Sequence, residues 1–153
     1  MEIRRALPTE AEPLATLWLR SRAASVPAVP PTVHTGQEVL RWMEELVLSS
    51  REVWVADSGG EVLALLVLDG PWIDQLYVDP SATGCGIGGD LVRHAMLRRP
   101  DGLELWTFQS NSGARRFYEG LGFVAVATTD GDNEERAPDV RYRWRPDRGV
   151  ATT

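Results

Sequence analysis

A strand-like run that empties into a cluster of glycines and then into a helix is the tightest constraint in this chain. Ile73-Asp74-Gln75-Leu76-Tyr77-Val78 has strand character, Asp79-Pro80 stops it, and Gly84-Cys85-Gly86-Ile87-Gly88-Gly89 follows. Beyond the glycines, Leu91, Val92, Ala95 and Met96 recur at helical spacing, which predicts a helix over about 88–99. Glycines at such a junction let successive backbone N–H groups converge, and the helix N-terminus adds partial positive charge. Each dipole contact contributes only about 0.3–1 kcal/mol, so a phosphate needs several donors. A tightly packed turn would use the same glycines, and the loop alone does not separate the two readings. Two competing phosphate motifs do fall away. A Walker loop needs a lysine, and the chain has none. A dinucleotide fingerprint opens the first βαβ unit, whereas this loop follows a predicted hairpin.

The flanking segments alternate between the two periods. Glu2 to Ala6 reads as a strand. Thr9, with Glu12 three residues on, reads as a capping box for a helix over about 10–24, which carries Leu14, Leu17 and Trp18. Val26-Pro27-Ala28-Val29-Pro30-Pro31 must break that helix. Thr35 is the cap of a second, with Val39, Leu40, Met43, Leu46 and Val47 on one face. Val53 to Ala56 and Glu61 to Leu68 form a hairpin about Asp57-Ser58-Gly59-Gly60, and Trp72 to Val78 is the next strand. A strand at 103–107, a helix at 112–121 and a strand at 123–128 follow. After the polar loop Asp130 to Pro138, Val140, Tyr142 and Trp144 alternate with Arg141, Arg143 and Arg145 as a last strand. The order β-α-α-β-β-β-α-β-α-β-β predicts a mixed α/β fold. Residues 1–147 are expected to form one domain, with 148–153 a flexible tail.

Bulk properties narrow the function. At 153 residues the chain can bury one sizeable core. A net charge of −6 argues against a nucleic-acid partner, which requires a basic surface. No apolar run reaches the roughly 20 residues of a membrane span, and the N-terminus does not read as a signal peptide, so a cytoplasmic protein without a membrane partner is expected. Cys85 is the single cysteine, and His34 and His94 are the only histidines, so no metal is expected.

A second motif makes the glycine loop specific. Leu103-Glu104-Leu105-Trp106-Thr107 precedes Asn111-Ser112-Gly113-Ala114-Arg115-Arg116-Phe117-Tyr118-Glu119-Gly120-Leu121-Gly122-Phe123. Together with Leu76-Tyr77-Val78-Asp79-Pro80 and Thr83-Gly84-Cys85-Gly86-Ile87-Gly88, it resembles the two signatures of the GNAT superfamily of acetyl-CoA-dependent N-acetyltransferases. The resemblance covers roughly residues 2–145. It departs from the family at Thr83, where arginine or glutamine is usual. It implies a twisted, mostly antiparallel mixed sheet of about seven strands flanked by four helices, with strands 4 and 5 splayed apart.

The resemblance also implies the chemistry. Acetyl-CoA would lie along Leu76, Tyr77 and Val78, with its pyrophosphate on Thr83, Gly84, Cys85, Gly86, Ile87, Gly88 and Gly89, and would reach Asn111 and Phe117. A strand-4 bulge would aim a backbone N–H, supplied by Leu76 to Val78, at the thioester carbonyl. Such a donor contributes about 3–4 kcal/mol to the transition state. Tyr118 would protonate the departing sulfur. The acceptor would be a primary amine of a small molecule or peptide, attacking directly in a ternary complex. A lysine-like amine of pKa about 10.4 must lose a proton at a cost of about 4.6 kcal/mol at pH 7. Asp74 is the first candidate base, acting through water; His34, Glu134 and Glu135, which would border the acceptor, are alternatives. Cys85 is read as a backbone contributor, since the motif places it at the pyrophosphate. A silent acyl-CoA-sensing module and transfer of another acyl group stay open, as does a homodimer.

Overall fold

The computed structural model describes residues 1–146; residue 147 and the tail expected at 148–153 lie outside the described residues. Seven strands form one sheet: β1 (Glu2–Arg5), β2 (Glu52–Ser58), β3 (Glu61–Asp69), β4 (Trp72–Val78), β5 (Leu103–Phe108), β6 (Val124–Thr129) and β7 (Asp139–Trp144). Their spatial order is β1-β2-β3-β4-β5-β7-β6. Every neighbouring pair is antiparallel except β4 and β5. That one parallel contact requires a crossover, and the chain supplies it as the glycine loop and α4 (Ile87–Arg98).

Alternation along the central strands divides the core between the two faces. Val53, Val55, Leu65 and Val67 pack with Leu14 and Leu17 of α1 (Ala11–Ala24) and with Met43 and Val47. Ala56, Ala64, Leu66 and Leu68 pack on the other face with Leu91, Val92 and Ala95 of α4, and with Tyr118 of α5 (Ser112–Gly120). Strand β3 is buried on both sides, which explains its unbroken apolar run. Each fully buried Leu or Val contributes about 1.5–3 kcal/mol.

Two local expectations need correction. Thr9 caps nothing: it lies in a tight turn over Pro8–Glu10, and Glu10 instead accepts the Leu7 N–H at 2.7 Å. Pro8 has no N–H and a fixed φ, so the turn starts at the proline and the helix follows from Ala11. Thr35 does cap α2 (Gly36–Trp42), taking the Glu38 N–H at 3.2 Å, while Glu38 takes the Thr35 N–H at 2.8 Å. Helix α2 runs through a π-helical turn (Met43–Val47) into α3 (Leu48–Ser50). The wider turn rotates the helical face, so Leu46, expected inward, is 42 % exposed.

Candidate active site

Strands β4 and β5 share a single paired position, Trp72 with Glu104, supported by the Glu104 N–H to the Pro71 carbonyl at 2.9 Å. Beyond it β4 stays with β3 and β5 with β7, so the sheet opens into a V. The opening holds a groove of about 800 Å³ walled by Ile73 to Val78 and by Leu105 to Phe108. Backbone polarity faces into it. The Asp79 N–H donates to Leu63 of β3 at 2.7 Å, so strand alternation turns the N–H groups of Val78 and Leu76 away from β3. The Val78 carbonyl accordingly accepts from Ser21 on α1 at 3.1 Å. The bulge is present but earlier than residues 76–78: Val67 pairs with Gln75 and Leu68 with Ile73, leaving Asp74 as the extra residue.

The glycine loop closes one end. Asp79 starts it, its Oδ1 taking the Ser81 N–H at 3.0 Å and the Ser81 hydroxyl at 2.7 Å. These bonds hold its carboxyl below the usual range. Gly84 and Gly86 adopt φ of +80° and +82°, conformations that disfavour any side chain. Among the described residues no acceptor takes the N–H groups of Gly86, Ile87, Gly88 and Gly89. They form a donor set at the start of α4 with the polarity an anion requires. Gly88 packs under the second motif, since a methyl there would sit 3.4 Å from Phe117 and 3.6 Å from Val78. Thr83 borders the groove, but its hydroxyl is turned back onto the Pro80 carbonyl at 3.2 Å. Cys85 is exposed and its side chain is not part of the groove wall, so only its backbone can serve there.

Helix α5 supplies the remaining wall. Asn111 caps it, its Oδ1 taking the Ala114 N–H at 3.1 Å, and it borders the groove with Phe117 and Tyr118. The Tyr118 ring is held edge-on by Phe117 and Phe123 at 5.0 and 5.4 Å. Its hydroxyl has no hydrogen-bond partner among the described residues. Burial, reinforced by the neighbouring Tyr77 phenol, pushes its pKa up, so it stays protonated at neutral pH.

A second groove of about 800 Å³ lies against the first. Asp74, Gln75, Tyr77, Trp106 and Phe108 line both. Its far side brings together His34, Glu134 and Glu135 from loops 100 residues apart in sequence. His34 Nε2 and Glu134 Oε2 are 2.8 Å apart, and Glu134 raises the His34 pKa. The Asp74 carboxyl is solvent-accessible, yet it is enclosed by both groove walls. That desolvation pushes its pKa up, opposed by Arg51. Trp106, Trp18 and the Tyr77 side chain also wall the grooves, which their residue types alone did not indicate. Trp106 carried a signal, since strand alternation sets it on the face opposite Leu103 and Leu105; in the structure it is 45 % exposed. Among the described residues no cluster of metal-ligating side chains occurs.

Known proteins resemble this chain in sequence and in fold. The profile described as Acetyltransferase (GNAT) domain matches residues 49–125. Peptidyl-lysine N-acetyltransferase YjaB of Escherichia coli (strain K12) is 30 % identical over 137 residues, covering 87 % of this chain and 88 % of that protein. Peptidyl-lysine N-acetyltransferase YiaC of the same organism is 27 % identical over 125 residues, covering 81 % and 84 %. The solution structure of apo YjaB from Escherichia coli superposes with a TM-score of 0.76 at 27 % identity, covering 94 % of this chain and 96 % of that one. The Salmonella typhimurium yncA structure with acetyl-CoA shares the fold at a TM-score of 0.71 and 19 % identity, covering 95 % and 93 %. With both motifs placed on one groove of a sheet split at β4 and β5, the chain belongs to the GNAT family of N-acetyltransferases.

Proposed function

We propose that the enzyme moves the acetyl group of acetyl-CoA to a primary amine by direct attack in a ternary complex, and that residues 1–147 act as one catalytic domain. The observation that carries this reading is the shared wall of the two grooves, which lets a donor on one side meet an acceptor on the other. The unclaimed N–H groups of Gly86 to Gly89 fit a pyrophosphate, and these residues line the same groove as Leu76 to Val78. Leu76 and Val78 offer backbone donors to that arm and to the thioester carbonyl. The names of YjaB and YiaC favour the side-chain amine of a peptide lysine as the acceptor.

The chain's own groups then divide the proton work. Asp74, at the junction, takes a proton from the incoming ammonium through water; its raised pKa makes it a better base than an ordinary carboxylate. The free amine attacks the acetyl carbonyl, the C–N bond forms, and the C–S bond breaks. Tyr118 donates its hydroxyl proton to the departing sulfur, and the second proton of the nitrogen, made acidic by the new C–N bond, is lost through water and restores the Tyr118 hydroxyl. The burial that disfavours a phenolate also disfavours a bare thiolate in the same pocket, so the hydrogen bond forms where charge develops.

The test is a thiol-release assay with acetyl-CoA against lysine peptides, polyamines and aminoglycosides, with Tyr118→Phe alongside. Turnover on at least one amine is expected, with kcat lowered about 10²-fold or more in the variant and the KM for acetyl-CoA nearly unchanged. Acetyl-CoA binding without turnover on any amine would point instead to an acyl-CoA sensor. Absence of binding would overturn both.

A further inference from the structure

The acceptor groove contains a cation that the acetyl-transfer chemistry does not use. Arg22, on α1, lines that groove and is only 7 % exposed. Its Nη2 donates to the Pro30 carbonyl at 3.0 Å, and the guanidinium also interacts with the Tyr77 phenol oxygen. The guanidinium lies over the Trp18 ring, 5.0 Å from its centroid. No carboxylate among the described residues pairs with it, and its buried Nε–H has no partner. The other two arginines of the groove differ. Arg41 is exposed, and Arg51 pairs with Asp69 at 3.4 Å. Buried charges in folded proteins are paired or bound to a ligand, because an uncompensated one loses its hydration and gains nothing. A ring face, one backbone carbonyl and a neutral phenol give Arg22 partial compensation, supply no negative charge and leave its Nε–H without an acceptor.

The surroundings indicate what would complete it. Tyr77, Asp74 and Glu135 line the same groove as Arg22, so cation and acids face one shared volume. A purely cationic acceptor would satisfy the acids and be repelled by Arg22. An acceptor that carries a carboxylate near its amine satisfies both. Resting on the acetyltransferase reading, we infer that the groove selects amines bearing a carboxylate, with Arg22 as the residue that recognises it. The carboxylate is either the acceptor's own α-carboxylate or an acidic side chain next to the acetylated lysine. A planar guanidinium suits this role, since it presents parallel N–H donors to a carboxylate.

Matched acceptor pairs test the inference and separate the two sources. One pair is Nα-acetyl-lysine and its carboxamide; the other is a blocked Asp-Lys dipeptide and its Asn-Lys counterpart. In the wild type, kcat/KM is expected to favour the carboxylate of at least one pair by about 10-fold or more, as a charge-assisted hydrogen bond implies. Arg22→Gln is expected to bring that ratio near one, and Arg22→Lys to give an intermediate ratio. A ratio compares two acceptors on the same protein, so loss of folded enzyme cancels and a merely structural arginine would leave it unchanged. Ratios near one for both pairs in the wild type overturn the inference, as does a ratio preserved in Arg22→Gln. If no amine is acetylated, the catalytic reading fails but this one is still decided. Calorimetric binding of the same four compounds to the wild type should show the carboxylates binding about 10-fold more tightly, and equal affinities overturn it.

Discussion

At the scale of single residues, the proposed acid and base are distinguished by how each is buried. Tyr118 is enclosed by aromatic rings and has no polar neighbour bonded to its hydroxyl, so its proton is held firmly and released only to a charge forming beside it. Asp74 is open to solvent but walled on two sides, and desolvation lifts its pKa. The folded state therefore binds the Asp74 proton more tightly than the unfolded chain does. This group's contribution to stability is full below the unfolded value of about 3.9 and is lost as pH rises through the raised value. Asp74→Asn is accordingly expected to raise the urea midpoint at pH 7 while lowering kcat/KM for the amine about 10²-fold. The variant should also lose the acidic limb of the wild-type profile, on which rate falls as pH drops through the Asp74 pKa. A midpoint that falls in the variant would contradict the desolvation account. Cys85 and Thr83 show the opposite case, in which the motif position matters and the side chain does not reach the groove or is bonded elsewhere.

At the scale of elements, the glycine loop is a device for leaving N–H groups unclaimed. Gly84 and Gly86 in the left-handed region reverse the chain so that α4 starts with its donors facing outward. Gly86→Ala is expected to cost about 1–2 kcal/mol of stability by denaturant unfolding, the penalty for an L-residue in that conformation. It should also raise the Kd for acetyl-CoA, because the donors move with the backbone. Gly88→Ala makes a useful contrast. Its φ is ordinary and the added methyl meets Phe117 at contact distance, so stability should change little. The two elements that flank the opening are tied differently. Strand β4 is fixed by β3 and by Ser21 of α1, and β5 by six paired positions on β7. The V between them is held open from outside.

At the scale of the whole molecule, the second groove is walled on one side by loops from distant parts of the chain. His34 follows the proline segment after α1, and Glu134 sits between β6 and β7. Glu134 raises the His34 pKa, with Glu38 and Glu135 adding to it. The stability of this contact is thus full below the ordinary histidine value of about 6.5 and is lost as pH rises through the raised one. Both ends are exposed, so the effect should be local rather than global. Hydrogen exchange in residues 130–138, corrected for intrinsic rates, is expected to quicken between pH 6 and pH 9, and Glu134→Gln should remove that dependence. Protection that is unchanged by pH in the wild type would contradict the contact.

The order of elements, the cap at Thr35, the glycine loop and the family were legible in the sequence, because each depends on residues close together along the chain. Period and cap chemistry are local properties, and so is a glycine's tolerance of positive φ. The same locality explains the misses. Thr9 satisfied a capping pattern that Pro8 pre-empted, and the face of α2 was rotated by a π-helical turn that no residue type announces. Asp74 was visible as a carboxylate near the end of a strand, but only pairing with β3 shows it to be the bulged residue. His34 and Glu134 were both candidates, and only the fold made them partners. Arg22 gave no signal at all, since an arginine late in an amphipathic helix reads as a solvated charge. Its burial on the groove wall, without a carboxylate, is decided by what the sheet and the proline segment place around it. Residue chemistry is written in the sequence; the burial and pairing that tune it are long-range, and only the tertiary structure sets them.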